Sequence, residues 1–478
     1  MARRRFGGDD ILPRCSMSSR CRFLLVCVAA ACFWHGYFLD LFPLSEARDW
    51  LGWGGNEGIR SQVLNDLLYR QTRFSRDLSM LVTFGVGNVC SNSVLCVNAG
   101  LALPLVLASL ALYVWMCGIS VPRGVAACLT IVWALSFPYL VTSSWQATIH
   151  DRLGLLATFT AFALVWRFSP TWSVGHLTWY AAAQLLLTVA AMNSKEAYWF
   201  LLPALCLAHA SRFLALPDAP SWRPIVLTLV PACLYAAWFA LCYLRAAPFS
   251  PEWATHVGTG ALAHNAVSYT KAIFGTVAVA AMVGAVVAVV VRQNWRSWTS
   301  DHRRKLSWTV IVMVAAYVPI AKTRYPAEYY VLAPMAVLLV AIGLCFRDSS
   351  GNRAQPTLLR YVAIGGLGLG TLISIRSDRA EFYLHRATLS DNFQRAVYSR
   401  RDLAGAAAAA GVLCVSVDEN SPQSYLFTDS KFAWDILRWN SDEGVAVQLR
   451  DVPVAVRTPA SGPNCVPSLL LDSNLRAR

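Results

Sequence analysis

Residues 136–159 read SFPYLVTSSWQATIHDRLGLLATF. An apolar run meets Pro138, gives way to a short polar turn and becomes apolar again, which predicts two membrane helices joined by a turn. The turn contains His150, Asp151 and Arg152 in succession. Three ionisable groups between membrane helices cost on the order of several kcal/mol unless they face water, a ligand or each other. The turn is therefore a candidate functional site, with an ordinary interfacial loop in water as the alternative.

The composition excludes a soluble globular domain. Apolar residues make up 56% of the 478 residues, charged residues make up 14%, and the mean hydropathy is +0.45. Continuously apolar runs recur along the chain, which predicts an all-α polytopic membrane protein rather than a barrel of alternating strands. The net charge of +14 does not indicate a nucleic-acid partner, because the basic residues are spread over many loops.

About eleven membrane helices are predicted, with the N-terminus in the cytoplasm. Residues 1–22 are basic and precede the first apolar run, as in a signal anchor. The predicted spans are residues 23–42, 94–117, 125–140, 153–166, 177–192, 197–210, 225–244, 267–291, 306–320, 330–346 and 358–375. This topology leaves every cytoplasmic loop basic and nearly free of acids, as the positive-inside rule requires.

Three regions follow from these spans. They are a cytoplasmic N-terminus at residues 1–22, a membrane domain at residues 23–376 with a long external loop at 43–93, and an extracytoplasmic C-terminal region at 377–478. The C-terminal region is predicted to be a small α/β appendage. Its predicted elements are helices at residues 378–410 and 432–439 and strands at residues 411–418 and 445–450.

Fourteen cysteines occur, several of them inside apolar runs, and no spacing typical of a metal site is found. Cys90 and Cys96 could form a disulfide if they lie outside the membrane, as could Cys414 and Cys465.

The loops assigned to the outside carry acids and bases together. Their basic residues break the positive-inside trend, so topology does not explain them. A shared, water-filled external cavity explains them better. Arginine and lysine side chains that converge there suit a phosphate or pyrophosphate, and a nearby carboxylate suits a general base. The charged residues and tyrosines concerned are Glu46, Asp49, Arg73, Arg76, His150, Asp151, Arg152, Lys195, Glu196, Arg324, Glu328 and Tyr329.

Taken in order, four stretches resemble the C-type integral membrane glycosyltransferases, the GT-C superfamily. They are the run from Asp49 through Arg73 or Arg76, the run at 136–164, the run NSKEAYWFLLPAL at 193–205 and the run RYPAEYYVLAPMAVLLVA at 324–341. The resemblance is nearest to the branch of the protein O-mannosyltransferases and of related bacterial enzymes that use polyprenyl-phosphate sugars. It implies a GT-C-like membrane fold, a polyprenyl-phosphate sugar donor and an essential acid shortly after the first helix.

Residue by residue, the resemblance implies roles within this chain. Asp49 falls where the family keeps its catalytic acid, with Glu46 as a second candidate. Arg73 or Arg76, Arg152, the pair Lys195 and Glu196, and the group Arg324, Glu328 and Tyr329 fall on the family's loop motifs. Arg73, Arg76, His150, Arg152, Lys195 and Arg324 are accordingly predicted to bind the donor phosphate, with Asp151, Glu196, Glu328 and Tyr329 in support. The chain departs from the pattern at Gly154, where many relatives have an acid.

The predicted function is transfer of a sugar from a polyprenyl-phosphate donor to a glycan, lipid or protein acceptor on the extracytoplasmic face, with inversion. No ligand spacing demands a metal, although Mg²⁺ or Mn²⁺ beside a phosphate stays open. The alternatives are a transporter or flippase for a lipid-linked sugar or another anion, and a non-catalytic scaffold of the same fold. The expected location is a bacterial inner membrane, with the C-terminus outside the cytoplasm.

Overall fold

A computed structural model describes most of the membrane domain and parts of the C-terminal region. The described residues are 19–41, 57–69, 76–90, 93–145, 148–168, 172–213, 223–246, 259–321, 327–346, 357–377, 380, 383–384, 387–388, 391–392, 395–396, 412–417, 447–449, 452–457 and 469–471.

Residues 19–194 contain eight described α-helices. They are α1 Ser19–Phe38, α2 Glu57–Tyr69, α3 Asp77–Cys90, α4 Val94–Gly118, α5 Arg123–Leu135, α6 Phe137–Ser144, α7 Ile149–Val165 and α8 Val174–Ser194. Seven more follow. They are α9 Leu201–Phe213, α10 Arg223–Arg245, α11 Thr259–Phe274, α12 Val277–Asn294, α13 Ser300–Ala321, α14 Leu332–Cys345 and α15 Thr357–Ile375. Short 3-10 helices at Glu196–Tyr198 and Glu328–Val331 precede α9 and α14.

Among the described residues, six helices are long and apolar enough to cross a membrane, as in a multi-pass membrane protein. They are Cys21–Phe38 in α1, α4, α8, α12, α13 and Glu328–Cys345, which includes α14. A seventh follows if the bent pair α5 and α6 is one span. The predicted total of eleven spans stays a prediction.

The core of the bundle is aromatic where α4, α7 and α13 meet. The Trp115 ring of α4 stacks on Phe159 of α7 at 5.8 Å between centroids and meets the edge of Trp308 of α13 at 6.1 Å. Trp308 also donates from Nε1 to the main-chain carbonyl of Ala204 at 3.0 Å, so its one polar atom is satisfied inside the apolar core.

The predicted span at residues 125–140 is a broken helix. Ser136 lies between α5 and α6, which bend by 52° relative to each other. Its hydroxyl accepts from the backbone N–H of Tyr139 at 3.4 Å and donates to the carbonyl of Trp133 at 2.7 Å, so it caps α6 while holding the end of α5. Pro138 lies in the first turn of α6, where no helical donor is lost.

The predicted continuous span at residues 267–291 is wrong. The helix ends at Phe274 and restarts at Val277, with Gly275 at φ +72° between them. A Cβ on Gly275 would lie 2.7 Å from the carbonyl oxygen of Gly370, and a Cβ on Gly370 would lie 2.6 Å from that of Phe274. Two backbones therefore approach closely at a left-handed glycine, and this contact is invisible in hydropathy.

The predicted external loop at residues 43–93 contains two helices, α2 and α3. A disulfide joins Cys90 at the end of α3 to Cys96 in the first turn of α4. The N–H of Cys96 also donates to the Ser93 hydroxyl at 3.3 Å, which caps α4. The chain thus enters the first long buried helix through a cross-linked turn.

Four short strands are described in the C-terminal region. They are β1 Val412–Val417, β2 Val447–Leu449, β3 Val452–Arg457 and β4 Leu469–Leu471. They form one sheet of order β2-β3-β1-β4, in which β1 is parallel to β3 and β4, and β2 is antiparallel to β3. β1 and β2 lie within the two segments predicted as strands. The helix expected at residues 432–439 and Cys465 lie outside the described residues, and the division into an external domain stays a prediction.

Candidate functional site

The charged turn at the start of α7 lies inside the protein. His150, Asp151 and Arg152 are 3%, 2% and 1% exposed, so an ordinary loop in water is excluded. Each charge must be matched by a neighbour, because an unpaired buried charge costs several kcal/mol.

Asp151 is the centre of a buried polar cluster. Its two carboxylate oxygens accept from Lys195 Nζ at 2.9 and 3.2 Å, and Oδ1 accepts from the Tyr198 hydroxyl at 3.2 Å. His150 Nε2 lies 3.0 Å from Oδ2. Lys195 is itself only 6% exposed. The cluster therefore combines one carboxylate, one ammonium and one phenol away from solvent, and we call Asp151, Lys195 and Tyr198 the buried triad.

A break in the helical chain presents Lys195 to Asp151. Lys195 follows the last residue of α8 and has an extended backbone with φ −170° and ψ 149°. Three residues of 3-10 helix then carry Tyr198 to the same side. Both donors of the triad therefore come from one four-residue segment, which α9 follows.

Two tyrosines of the 3-10 helix before α14 cover the lysine. Lys195 Nζ lies 4.8 Å from the ring centroid of Tyr329 and 4.2 Å from that of Tyr330, which is within cation–π range. The Tyr329 ring also meets Trp145 at 5.5 Å between centroids. Three loops far apart in the chain, which follow α6, α8 and α13, thus meet at one end of the bundle, called here the charged end.

Tyr198 occupies the space beside Gly154. An ideal Cβ on Gly154 would lie 2.3 Å from Cδ2 of the Tyr198 ring, so no side chain fits at this position. Because Gly154 has no side chain where the glycosyltransferase pattern has an acid, the Tyr198 ring can pass over α7 and its hydroxyl reaches Asp151. Burial and the Asp151 carboxylate raise the pKa of Tyr198 well above its usual range, which keeps the phenol a hydrogen-bond donor.

Arg152 points away from the triad into the main chain. Nη1 donates to the carbonyl of Leu101 at 2.7 Å, and Nη2 donates to that of Thr142 at 2.6 Å. Longer contacts from Nη2 reach the carbonyls of Ser143 at 3.4 Å and Trp145 at 3.2 Å. The guanidinium therefore ties the end of α6 to α4, and binding of the donor phosphate by Arg152 stays a prediction.

Of the remaining predicted residues, three are described and four are not. Arg76 is half-buried and lies near enough for its charge to act on both His150 and Tyr329. Glu328 accepts from the Tyr383 hydroxyl at 2.9 Å, which brings the segment after α15 to the charged end. Glu196 is partly exposed beside the triad. Asp49, Glu46, Arg73 and Arg324 lie outside the described residues.

Tyr198, Tyr330 and Trp145 are not among the predicted site residues. Tyr198 had a signal, because it lies three positions after Lys195 in a loop already marked as charged. Tyr330 begins the predicted span at residues 330–346, and the contacts of Tyr330 and Trp145 with the lysine region depend on how three loops pack.

No cluster of metal ligands gathers in the described part of the chain, where no group of three or more His, Cys, Asp or Glu side chains is placed to hold an ion. Asp151 already accepts from Lys195 and Tyr198. Asp49 and Glu46 lie outside the described residues, and Mg²⁺ or Mn²⁺ beside a phosphate stays a prediction.

Comparison with known proteins gives a likeness in structure and none in sequence. No protein family model matches the chain, and no curated protein matches it in sequence. The crystal structure of the apo oligosaccharyltransferase from Archaeoglobus fulgidus overlaps with a TM-score of 0.43 at 12% identity, over 87% of this chain and 60% of that one. This chain thus spans about 60% of the length of that transferase. A likeness at this level assigns neither an activity nor a substrate.

Proposed function

We propose that this chain is an integral membrane glycosyltransferase that moves a sugar from a polyprenyl-phosphate donor to a glycan, lipid or protein acceptor on the extracytoplasmic face. The observation that supports it most is the buried triad at the charged end, with Arg76 beside it. Charged groups at the end of membrane helices are expected at the depth of the lipid headgroups, which is the depth of the phosphate of a polyprenyl carrier.

In the proposed reaction, an acceptor hydroxyl attacks the anomeric carbon opposite the phosphate. The bond from that carbon to the phosphate oxygen breaks, and the leaving phosphate keeps the electron pair. Arg76, with Arg73 and Arg324 as the further predicted phosphate ligands, stabilises the charge that develops on this oxygen. Asp49, or Glu46, takes the proton of the hydroxyl. Attack from the opposite face inverts the anomeric centre.

The triad has a positioning role in this scheme. Lys195 is paired with Asp151 and faces two aromatic rings, so its charge is already satisfied. The pairing of Lys195 with Asp151 holds the α8–α9 break against the start of α7 and thereby fixes the geometry of the charged end.

A transporter of a lipid-linked sugar or another anion is the second candidate. Broken helices favour it, because transporters build their binding sites at helix interruptions. The α5–α6 pair, bent by 52°, and the interruption at Gly275 are of this kind.

Sugar transfer in membranes tests the proposal. Membranes that contain the chain are supplied with a radiolabelled polyprenyl-phosphate hexose pool, and label on acceptors is compared for the parent, Asp49→Asn and Arg76→Gln. Glu57→Gln is the matched control, because Glu57 is an exposed acid of the same external region. We expect transfer by the parent and the control, and loss of at least about 100-fold in both variants, as for removal of a group that stabilises the transition state.

The outcomes separate the candidates. Parent membranes that transfer no label from any carrier, but accumulate labelled lipid in the opposite leaflet, support the transporter. Membranes that do neither support the non-catalytic scaffold. Equal transfer by the parent and Asp49→Asn removes Asp49 as the base and leaves Glu46 to be tested.

A further inference from the structure

A small internal cavity lies behind Arg152, on the side away from the buried triad. It has a volume of about 10 Å³, which is room for roughly one water-sized particle. Its walls come from α1 and the turn after it, α4, α6 and α7. The lining residues are His35, Phe38, Leu39, Asn98, Ser143 and Arg152.

Three of the four polar lining side chains have a buried atom without a protein partner. They are His35 Nε2, Ser143 Oγ and Arg152 Nε. His35, Ser143 and Arg152 are 5%, 2% and 1% exposed. Buried polar atoms are almost always satisfied, so three unsatisfied atoms around one cavity indicate an occupant that contacts all of them.

The hydrogen-bond donors that line the cavity favour an anion. Arg152 Nε–H and the Ser143 hydroxyl can donate, and neutral His35 can donate from Nε2 in one tautomer. The amide nitrogen of Asn98 at the same wall already donates to the carbonyls of Phe38, Leu39 and Leu41 at 3.2, 2.9 and 2.6 Å. Among the described residues that line the cavity, none carries a carboxylate.

The local charge also favours an anion. Within the described part of the chain, Arg152 forms no ion pair, because Asp151 is paired with Lys195 and contacted by His150. The groups that accept from Arg152 are neutral main-chain carbonyls, such as those of Leu101 and Thr142. A monatomic anion beside Arg152 Nε would neutralise its charge.

From this geometry we infer a halide-binding site, occupied by chloride under physiological conditions, formed by Arg152, Ser143 and His35 between α1, α6 and α7. The free volume of about 10 Å³ beside Arg152 suits a monatomic ion better than a phosphate. The site holds α1 and α6 together where they flank the charged end, and it does not depend on the proposed function.

Two measurements on the purified full-length chain in detergent test the inference. Thermal unfolding is followed in sodium chloride, sodium bromide and sodium gluconate at constant ionic strength, and bound ³⁶Cl⁻ is measured directly by equilibrium retention. Ser143→Ala removes one ligand with little change of volume, and Ser297→Ala is the matched control, because the Ser297 hydroxyl is exposed and remote from the cavity. The expected result is saturable stabilisation by chloride and bromide over gluconate, with halide affinity lowered about tenfold or more in Ser143→Ala only.

Two results would overturn the inference. Identical unfolding in all three salts, with no retained ³⁶Cl⁻, would mean that the cavity holds water only. Halide stabilisation that is equal in Ser143→Ala and Ser297→Ala would place the ion elsewhere. His35→Gln is a second cavity variant. An unchanged halide affinity in both Ser143→Ala and His35→Gln would also place the ion elsewhere.

Discussion

Lys195 Nζ lies 2.9 Å from Oδ2 of Asp151, and this contact joins the break after α8 to the first turn of α7. The two residues are 44 positions apart in the chain, and both are almost completely buried. The pair is therefore a tertiary contact on which the geometry of the charged end depends.

Removal of one member of this pair is expected to be strongly destabilising. Asp151→Asn leaves the Lys195 ammonium buried without its charge partner, which costs about 3–5 kcal/mol. The double variant Asp151→Asn/Lys195→Met should recover part of the loss, because neither charge then remains. Thermal unfolding of the purified protein in detergent measures both changes.

A second ion pair of the same chain is the control. Asp301 and Lys305 are 2.9 Å apart on α13 in an i,i+4 arrangement, and the Asp301 side chain is 47% exposed. Asp301→Asn should cost under about 1 kcal/mol, since the Asp301 carboxylate is half-exposed and Lys305 keeps its hydrogen bond to Ser120 Oγ at 3.2 Å. Similar losses for the buried and the exposed pair would contradict the role assigned to Asp151.

Gly154→Ala is expected to destabilise the protein by about 1–3 kcal/mol, because the added methyl group overlaps the Tyr198 ring and forces it to move. Gly284→Ala in α12 is the control, since a Cβ there meets nothing within 4 Å. That change should be neutral or stabilising by up to about 1 kcal/mol through helix propensity. Unfolding temperatures compare the two, and equal values would mean that Tyr198 does not lie on Gly154.

The raised pKa of Tyr198 predicts a stability that depends on alkaline pH. An unfolded tyrosine ionises near pH 10, whereas the buried phenol stays protonated above it. The unfolded state therefore binds fewer protons than the folded state above about pH 10, and the contribution of Tyr198 is fully present below that pH and falls as pH rises.

Tyr198→Phe removes this titration. The parent should lose more unfolding free energy than Tyr198→Phe between pH 9 and the highest pH at which the protein stays folded, while at neutral pH the variant is less stable by about 1–3 kcal/mol for the lost hydrogen bond to a carboxylate. Parallel stability–pH curves for the two proteins would show that Tyr198 titrates normally.

Some features could be predicted from sequence because they depend on local pattern. Continuous apolar runs located α4 to within a residue at its C-terminal end, and charged residues in the turn at 150–152 marked the start of α7. The sequence also allowed the prediction that Asp151, Lys195 and Tyr329 lie in one cluster, because alternate loops of a helical bundle lie at the same end.

Other features depend on packing that no local pattern encodes. The left-handed Gly275 is required by the approach of Gly370, which is 95 positions later in the chain, so hydropathy alone predicted one continuous helix there. The orientation of Arg152 toward carbonyls of α4 and α6 likewise depends on the bend at Ser136. Arg152 was predicted to bind the donor phosphate from its position at a helix start alone. Sequence does not reveal that main-chain carbonyls can accept its hydrogen bonds.

The Cys90–Cys96 disulfide predicts which end of the bundle faces the outside. Cys21, which is exposed at the opposite end of α1, should face the cytoplasm. In intact cells, a membrane-impermeant maleimide should label Cys90 and Cys96 only after treatment with an impermeant reductant, and Cys21 only after permeabilisation. Cys21→Ser and the double variant Cys90→Ser/Cys96→Ser assign each signal. Reduction should also lower the unfolding free energy by about 2 kcal/mol, because the bond closes a short loop. Labelling of Cys21 in intact cells, with Cys90 and Cys96 protected, would invert the topology and place the charged end in the cytoplasm, where an acceptor outside the cell could not reach it.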